Sequence, residues 1–131
     1  MPPIRVSRGS PAEARNRRLI AAKYLEVAEL AASEEGPVAN NVVVGVCVLA
    51  GIAAADTVCL LATGARYSGT DHAEAATYLA QVDPKLGNQL QTLVRLKPLA
   101  HYGTGFVSDP DRTRAVRAAQ ALLDAAARRS T

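Results

Sequence analysis

The chain has 131 residues, a formal net charge of +3, and 49% hydrophobic but only 4% aromatic residues. That length suits one domain able to bury about two thirds of its unfolded surface, so folding requires neither a disulfide nor a metal. Its cysteines and histidines, Cys47, Cys59, His72 and His101, fall in no zinc-ligand spacing, so neither a metal nor a cofactor is expected.

The charge is polarised. Residues 1–18 hold five arginines against Glu13, and residues 112–131 hold five against Asp124, so each end carries +4 and the middle −5. Basic ends suit nucleic acid or anionic surfaces, and they equally keep an alanine-rich protein soluble.

Residues 1–9 combine prolines, arginines and a glycine without periodicity and are expected as a disordered arm ahead of a single helical domain over 10–131. The start holds no hydrophobic segment, so no secretory leader is expected and the protein is placed in the cytoplasm. Helix 1 opens at Ser10-Pro11-Ala12-Glu13, a capping box with proline at the first helical position. Leu19, Ile20, Tyr24, Val27 and Leu30 recur at helical spacing and predict its buried stripe. Glu34-Glu35-Gly36-Pro37 ends it.

Helix 2 is predicted from about Val38 to Thr63, with Gly64 in the left-handed C-terminal position. Val42 to Ala55 is uncharged, yet too short for a bilayer, which needs about 20 residues. A helix apolar almost all round belongs in the middle of a bundle. Gly45 and Gly51 are expected to let neighbouring helices approach. Cys47 and Cys59 stand twelve residues apart in that helix, about 18 Å, far beyond disulfide reach. They read as reduced, buried thiols.

A loop over Arg66 to Thr70 leads to helix 3, Asp71 to Val82, in which His72 is read as capping the helix or satisfied internally. Asp83-Pro84 starts helix 4, with Leu86, Leu90, Leu93 and Val94 inward, Pro98 disturbing its last turns, and Gly103 and Gly105 stopping it. Asp109-Pro110 starts helix 5, whose stripe Val116, Ala119, Leu122, Leu123 and Ala126 leaves Arg112, Arg114, Arg117 and Arg128 largely outside. The fold expected is all-α: five helices, no strands, and a long buried central helix 2.

Most of the versatile chemistry sits in Arg95-Leu96-Lys97-Pro98-Leu99-Ala100-His101-Tyr102-Gly103. Arg95 and Lys97 are cations suited to phosphate, His101 adds an imidazole able to carry a proton, and Tyr102 adds a phenol. Such a set suits metal-free RNA cleavage, with a proton carrier beside phosphate-binding cations. Equally, it suits capping and solvation of a helix end. Asp56, alone in an apolar helix, needs a partner, and Arg95, Lys97 or His101 is the expected one.

The order of these parts resembles the HEPN superfamily, the higher eukaryote and prokaryote nucleotide-binding helical domains. The likeness lies in a long apolar helix ending in glycine, a histidine opening the next helix, and a fourth helix ending in a basic residue, two others, then Ala-His-Tyr-Gly. It covers about Ala12 to Ala127 and implies a homodimer with the end of helix 4 at the interface. HEPN ribonucleases carry an arginine and, four to six residues later, a histidine, a spacing that Arg95 and His101 meet. On that alignment both are catalytic candidates, with Lys97 and Tyr102 binding phosphate and Asp56 supporting. Non-catalytic relatives carry a basic-x-x-Ala-Asp-Tyr pattern, on which Lys97 and Tyr102 align and His101 replaces the aspartate. The resemblance therefore implies a helical dimer binding RNA, a nucleotide or a protein partner. The alternatives are a metal-independent ribonuclease, such as the toxin of a paired module, and a structural helical adaptor.

Overall fold

The structure, a computed structural model, describes residues 3–131. Met1 and Pro2, the first residues of the expected disordered arm, lie outside the described residues. The elements are β1 (Val6–Arg8), α1 (Pro11–Ala31), α2 (Pro37–Thr63), β2 (Ala65–Tyr67), α3 (His72–Val82), α4 (Pro84–His101) and α5 (Asp109–Arg129). As expected, there are five helices, and the long central α2 packs against α1, α4, α5 and β2 and touches α3. By length and composition α2 could cross a membrane, but most of its apolar window is buried inside the domain.

The starts of α1 and α4 follow the anticipated chemistry, whereas Asp71 rather than His72 caps α3 and Ser108 rather than Asp109 caps α5. Ser10 accepts from the Glu13 amide and Glu13 returns the bond to the Ser10 amide, Asp71 caps α3 and Asp83 caps α4, and Pro11, Pro84 and Pro110 stand in first turns. Gly64 closes α2 at φ 77°, a backbone conformation that costs glycine nothing. α4 runs through Pro98 to His101, where the Tyr102 amide donates to the Pro98 carbonyl.

Two expectations about the N-terminal part are corrected. The fold is not strand-free: β1 and β2 pair antiparallel, Val6 opposite Tyr67 and Arg8 opposite Ala65, with Gly9 N–H donating to Gly64 O at 3.0 Å. Gly64 turns the chain back beside the start of α1, and three-residue strands are too short to show a period of two.

The second correction concerns α1. Its buried residues are Ala14, Ala21 and Ala28, seven apart and so on one face of the helix. Leu19 and Leu30, placed in the expected stripe, are 51% and 69% exposed. The alanine face lies on α2, where buried Thr57 donates its hydroxyl to Ala14 O and Ala53 O. Small side chains let the two backbones come close, a contact that leucine at those positions would prevent.

At the other end Arg112 is not outside, as expected, but half-buried. It donates to Ala32 O at 2.6 Å, Glu34 O at 3.0 Å and Asn40 Oδ1 at 3.0 Å, satisfying carbonyls left open where α1 ends. The inner faces of α4 and α5 supply fully buried Leu90, Leu93 and Leu122. Gly51 lies against Leu93 and Leu122, the close approach expected of it, whereas Gly45 faces the His101 ring.

At Gly87 α4 comes close against the backbone of α3. A Cβ there would stand 2.8 Å from the Ala80 Cα and 3.1 Å from the Ala76 carbonyl oxygen, backbone that cannot rotate away. Helix propensity alone predicts that Gly87→Ala stabilises by about 1 kcal/mol. The packing predicts the opposite sign, a loss of about 1–3 kcal/mol in urea unfolding.

Candidate functional site

The last turn of α4 gathers three of the predicted residues. Lys97 and His101, four apart, share one helix face. The Lys97 ammonium donates to the Tyr102 hydroxyl at 3.1 Å and stands 4.8 Å from the centre of its ring. The His101 ring meets Tyr102 edge-on, with centroids 5.9 Å apart. His101 Nε2 lies 3.0 Å from the carbonyl oxygen of Gly45 in α2. With Nε2 protonated it donates to that carbonyl, leaving Nδ1 to accept or exchange a proton. Glycine at position 45 admits the imidazole, because a Cβ would lie 3.2 Å from its Cδ2. Arg95, the fourth predicted member, is exposed and makes no hydrogen bond or ion pair among the described residues. These cations also offset the negative pole of the α4 C-terminus.

Asp56 is not part of this group, contrary to expectation. Its Oδ2 pairs with Arg17 Nε at 3.1 Å, and Arg66 is the second cation near it. Gly45, which seats His101, is eleven residues back along α2, about 16 Å, so the end of α4 is out of reach. Burial raises the Asp56 carboxyl above its ordinary range, and the two arginines only partly oppose that. Asp56 therefore carries a desolvation cost that its ion pair does not cancel.

Around Asp56 the elements enclose a cavity of about 230 Å³. α2 supplies Ile52, Ala55 and Cys59, α3 supplies Ala75 and Tyr78, and α4 supplies Leu90, a mostly apolar floor. Arg17, Asp56, Arg66 and His72 bring polar groups to the same cavity. The Tyr78 hydroxyl donates to Ala65 O at 2.9 Å and meets Thr63 Oγ1 at 2.8 Å, tying the start of β2 to α3 and so placing Arg66.

His72 is the residue most under-read from sequence. Asp71, not His72, caps α3 by accepting from the Ala73 amide at 3.0 Å. The His72 ring lines the cavity without a hydrogen-bond partner among the described residues. Burial first, then the Lys97 ammonium and more weakly His101, push its pKa below the ordinary histidine range, against the opposing pull of Asp71. At neutral pH it is a neutral acceptor or base, electrostatically linked to the end of α4.

The thiols are inert by comparison. Burial pushes both Cys47 and Cys59 up to about 12. Among the described residues no three His, Cys, Asp or Glu side chains are grouped to hold a metal ion. The roomiest depression among those described, about 740 Å³, lies where α1 turns into α2. Part of its polar lining is engaged in structure: Asn40 donates to Val107 O and Asp109 Oδ1 and accepts from Arg112.

No family model matches this chain, and neither a curated protein nor a solved structure is significantly similar to it.

The Asp56 carboxyl makes a signed prediction. Because its folded pKa lies above 3.8, its contribution to stability is complete only below 3.8 and is lost as pH rises through the folded value. Asp56→Asn is therefore expected to be as stable as the parent or more so at neutral pH, with any advantage shrinking on acidification. Arg17→Met, which strands the carboxylate, is expected to lose about 1–3 kcal/mol at neutral pH. Urea titrations at several pH values check both, and an Asp56→Asn variant less stable at neutral pH is the contrary result.

Proposed function

We propose that the chain is a HEPN-like helical domain that works as a homodimer and binds the phosphates of RNA at the paired ends of α4. The observation carrying this reading is where His101 sits. Its ring lies on Gly45, and around Gly45 the exposed side chains of α2 are apolar: Val42 is 51% and Leu49 37% exposed. Val38 continues the stripe one turn earlier at 66% exposed. At about 100° per residue Val38, Val42, Gly45 and Leu49 fall on one face. Pairing of two chains through this stripe would cover apolar surface that water otherwise meets. It would also bring two sets of Lys97, His101 and Tyr102 into one cleft.

Lys97 and the imidazole then bind phosphate, and exposed Arg95 and the terminal arginines add contacts to the RNA backbone. The ribonuclease reading draws on one observation, the free Nδ1 that His101 keeps when Nε2 donates to Gly45. Binding is preferred to cleavage because Arg95 makes no contact with His101, so the Arg–His pair is not assembled within one chain.

Sedimentation tests the dimer. A dimer is expected at tens of micromolar protein, with Val42→Arg and Leu49→Arg converting it to folded monomer. Fluorescence anisotropy with labelled single-stranded RNA is expected to show salt-sensitive binding that Lys97→Ala weakens about tenfold. Chelator-resistant cleavage leaving 2′,3′-cyclic phosphate ends and lost in His101→Ala would replace binding with catalysis. A monomer that ignores RNA would leave a structural adaptor.

A further inference from the structure

The Asp56 cavity does not end at Asp56. On the far side of the Arg17–Asp56 pair lies an open basin of about 490 Å³, lined by Arg8, Arg17 and Arg66 together with Glu13 and Asn16. Arg17, Asp56 and Arg66 line both spaces, so they form a shared wall between an apolar interior and a polar exterior. We infer that the two spaces form one binding site for a small organic anion, whose compact aromatic or apolar body fills the cavity and whose phosphate or carboxylate rests among the arginines.

Size, charge and unspent hydrogen-bonding capacity each point the same way. An apolar cavity of about 150 Å³ is enough to take up benzene, so the 230 Å³ here holds a substituted ring. A ring so placed would meet Ile52, Ala55, Cys59, Ala75 and Leu90, surfaces that pay nothing for losing water. In the basin three guanidinium groups face two carboxylates, and Glu13 is already engaged with the Ser10 amide at 3.3 Å.

The donors at the wall are largely free. Each guanidinium carries five N–H groups. Among the described residues Arg17 spends its Nε on Asp56, and Arg66 makes one long bond of 3.4 Å to the Tyr67 carbonyl. For Arg8 no side-chain hydrogen bond is present among those residues. Asp56 accepts from Arg17 through Oδ2 alone, which leaves Oδ1 for a hydroxyl or N–H on the ligand body. His72 adds an imidazole at the cavity that has no hydrogen-bond partner among the described residues. A buried carboxylate that lowers stability is accounted for if a ligand uses it.

The site shares Arg8 and Arg17 with the terminal arginines of the RNA-binding proposal, but it lies beyond the Val38 to Leu49 stripe and uses none of Lys97, His101 and Tyr102. The test is calorimetric titration of the full chain with phenyl phosphate and with benzoate, against inorganic phosphate and phenol as the head and the body alone. One aromatic anion is expected to bind once per chain and more tightly than either fragment; which of the two does so tells phosphate from carboxylate. Arg66→Gln, at a half-exposed position, is expected to weaken that anion at least about tenfold and leave phenol unchanged, since it removes a charge-assisted contact. Ala75→Leu, which fills the cavity, is expected to abolish phenol binding, and a far-UV spectrum checks its fold. Val42→Arg is expected to leave anion binding unchanged, which keeps this result distinct from the dimer. The proposal is overturned if neither aromatic anion binds the folded parent at millimolar concentration, or if binding survives Arg66→Gln undiminished.

Discussion

Alanine on α1 sets the terms for everything else in this fold. Ala14, Ala21 and Ala28 have almost no accessible surface and form the face that lies on α2. Because that contact uses the smallest side chains, α1 runs close to α2 and its larger apolar residues are left outside. Arg17 flanks the alanine face and so reaches across to Asp56. The same packing leaves a strip of α2 uncovered between α1 and the end of α4, where Val42 and Leu49 meet solvent and His101 rests on Gly45. Candidate interface and candidate site thus share one cause.

Helix boundaries were legible because each start carries its own chemistry. Ser10 with Glu13, Asp83, and the prolines that follow Ser10 and Asp83 act within one turn, and no distant residue is needed to read them. The inner face of α1 was not legible from hydrophobicity. Leu19, Ile20, Val27 and Leu30 make their own helical stripe and outweigh alanine on any transfer scale, although close packing rewards the smaller residue. The seven-residue spacing of Ala14, Ala21 and Ala28 was the signal available. It would also have aimed Arg17 toward α2. β1 and β2 gave no signal, being three residues each and held by pairing between distant parts of the chain.

The site divided for a similar reason. Lys97, His101 and Tyr102 are near in sequence, and helical spacing and the α4 cap bring them together. Asp56 belongs to a set drawn from α1, α2, β2 and α3, which only the tertiary fold assembles. Sequence reading offered it the nearest attractive cations in function rather than in space. His72 looked like a capping residue because it opens a helix, yet Asp71 one residue earlier already does that work. What remained was an imidazole without a hydrogen-bond partner among the described residues, made less basic by burial and Lys97 against the opposing pull of Asp71.

Two groups of polar residues consequently flank α2. One is exposed, cationic and rich in donors at the end of α4; the other is recessed, with an apolar interior behind an arginine–aspartate wall. Both depend on α1 presenting alanine inward. The most direct measurement is therefore a pair of urea unfolding curves on dilute protein, for Ala21→Leu and for Leu19→Ala. Close packing predicts that Ala21→Leu loses about 1–3 kcal/mol or more, whereas Leu19→Ala stays within about 0.5 kcal/mol of the parent. A tolerated Ala21→Leu beside a severely destabilised Leu19→Ala would contradict the account, because leucine and not alanine would then face α2.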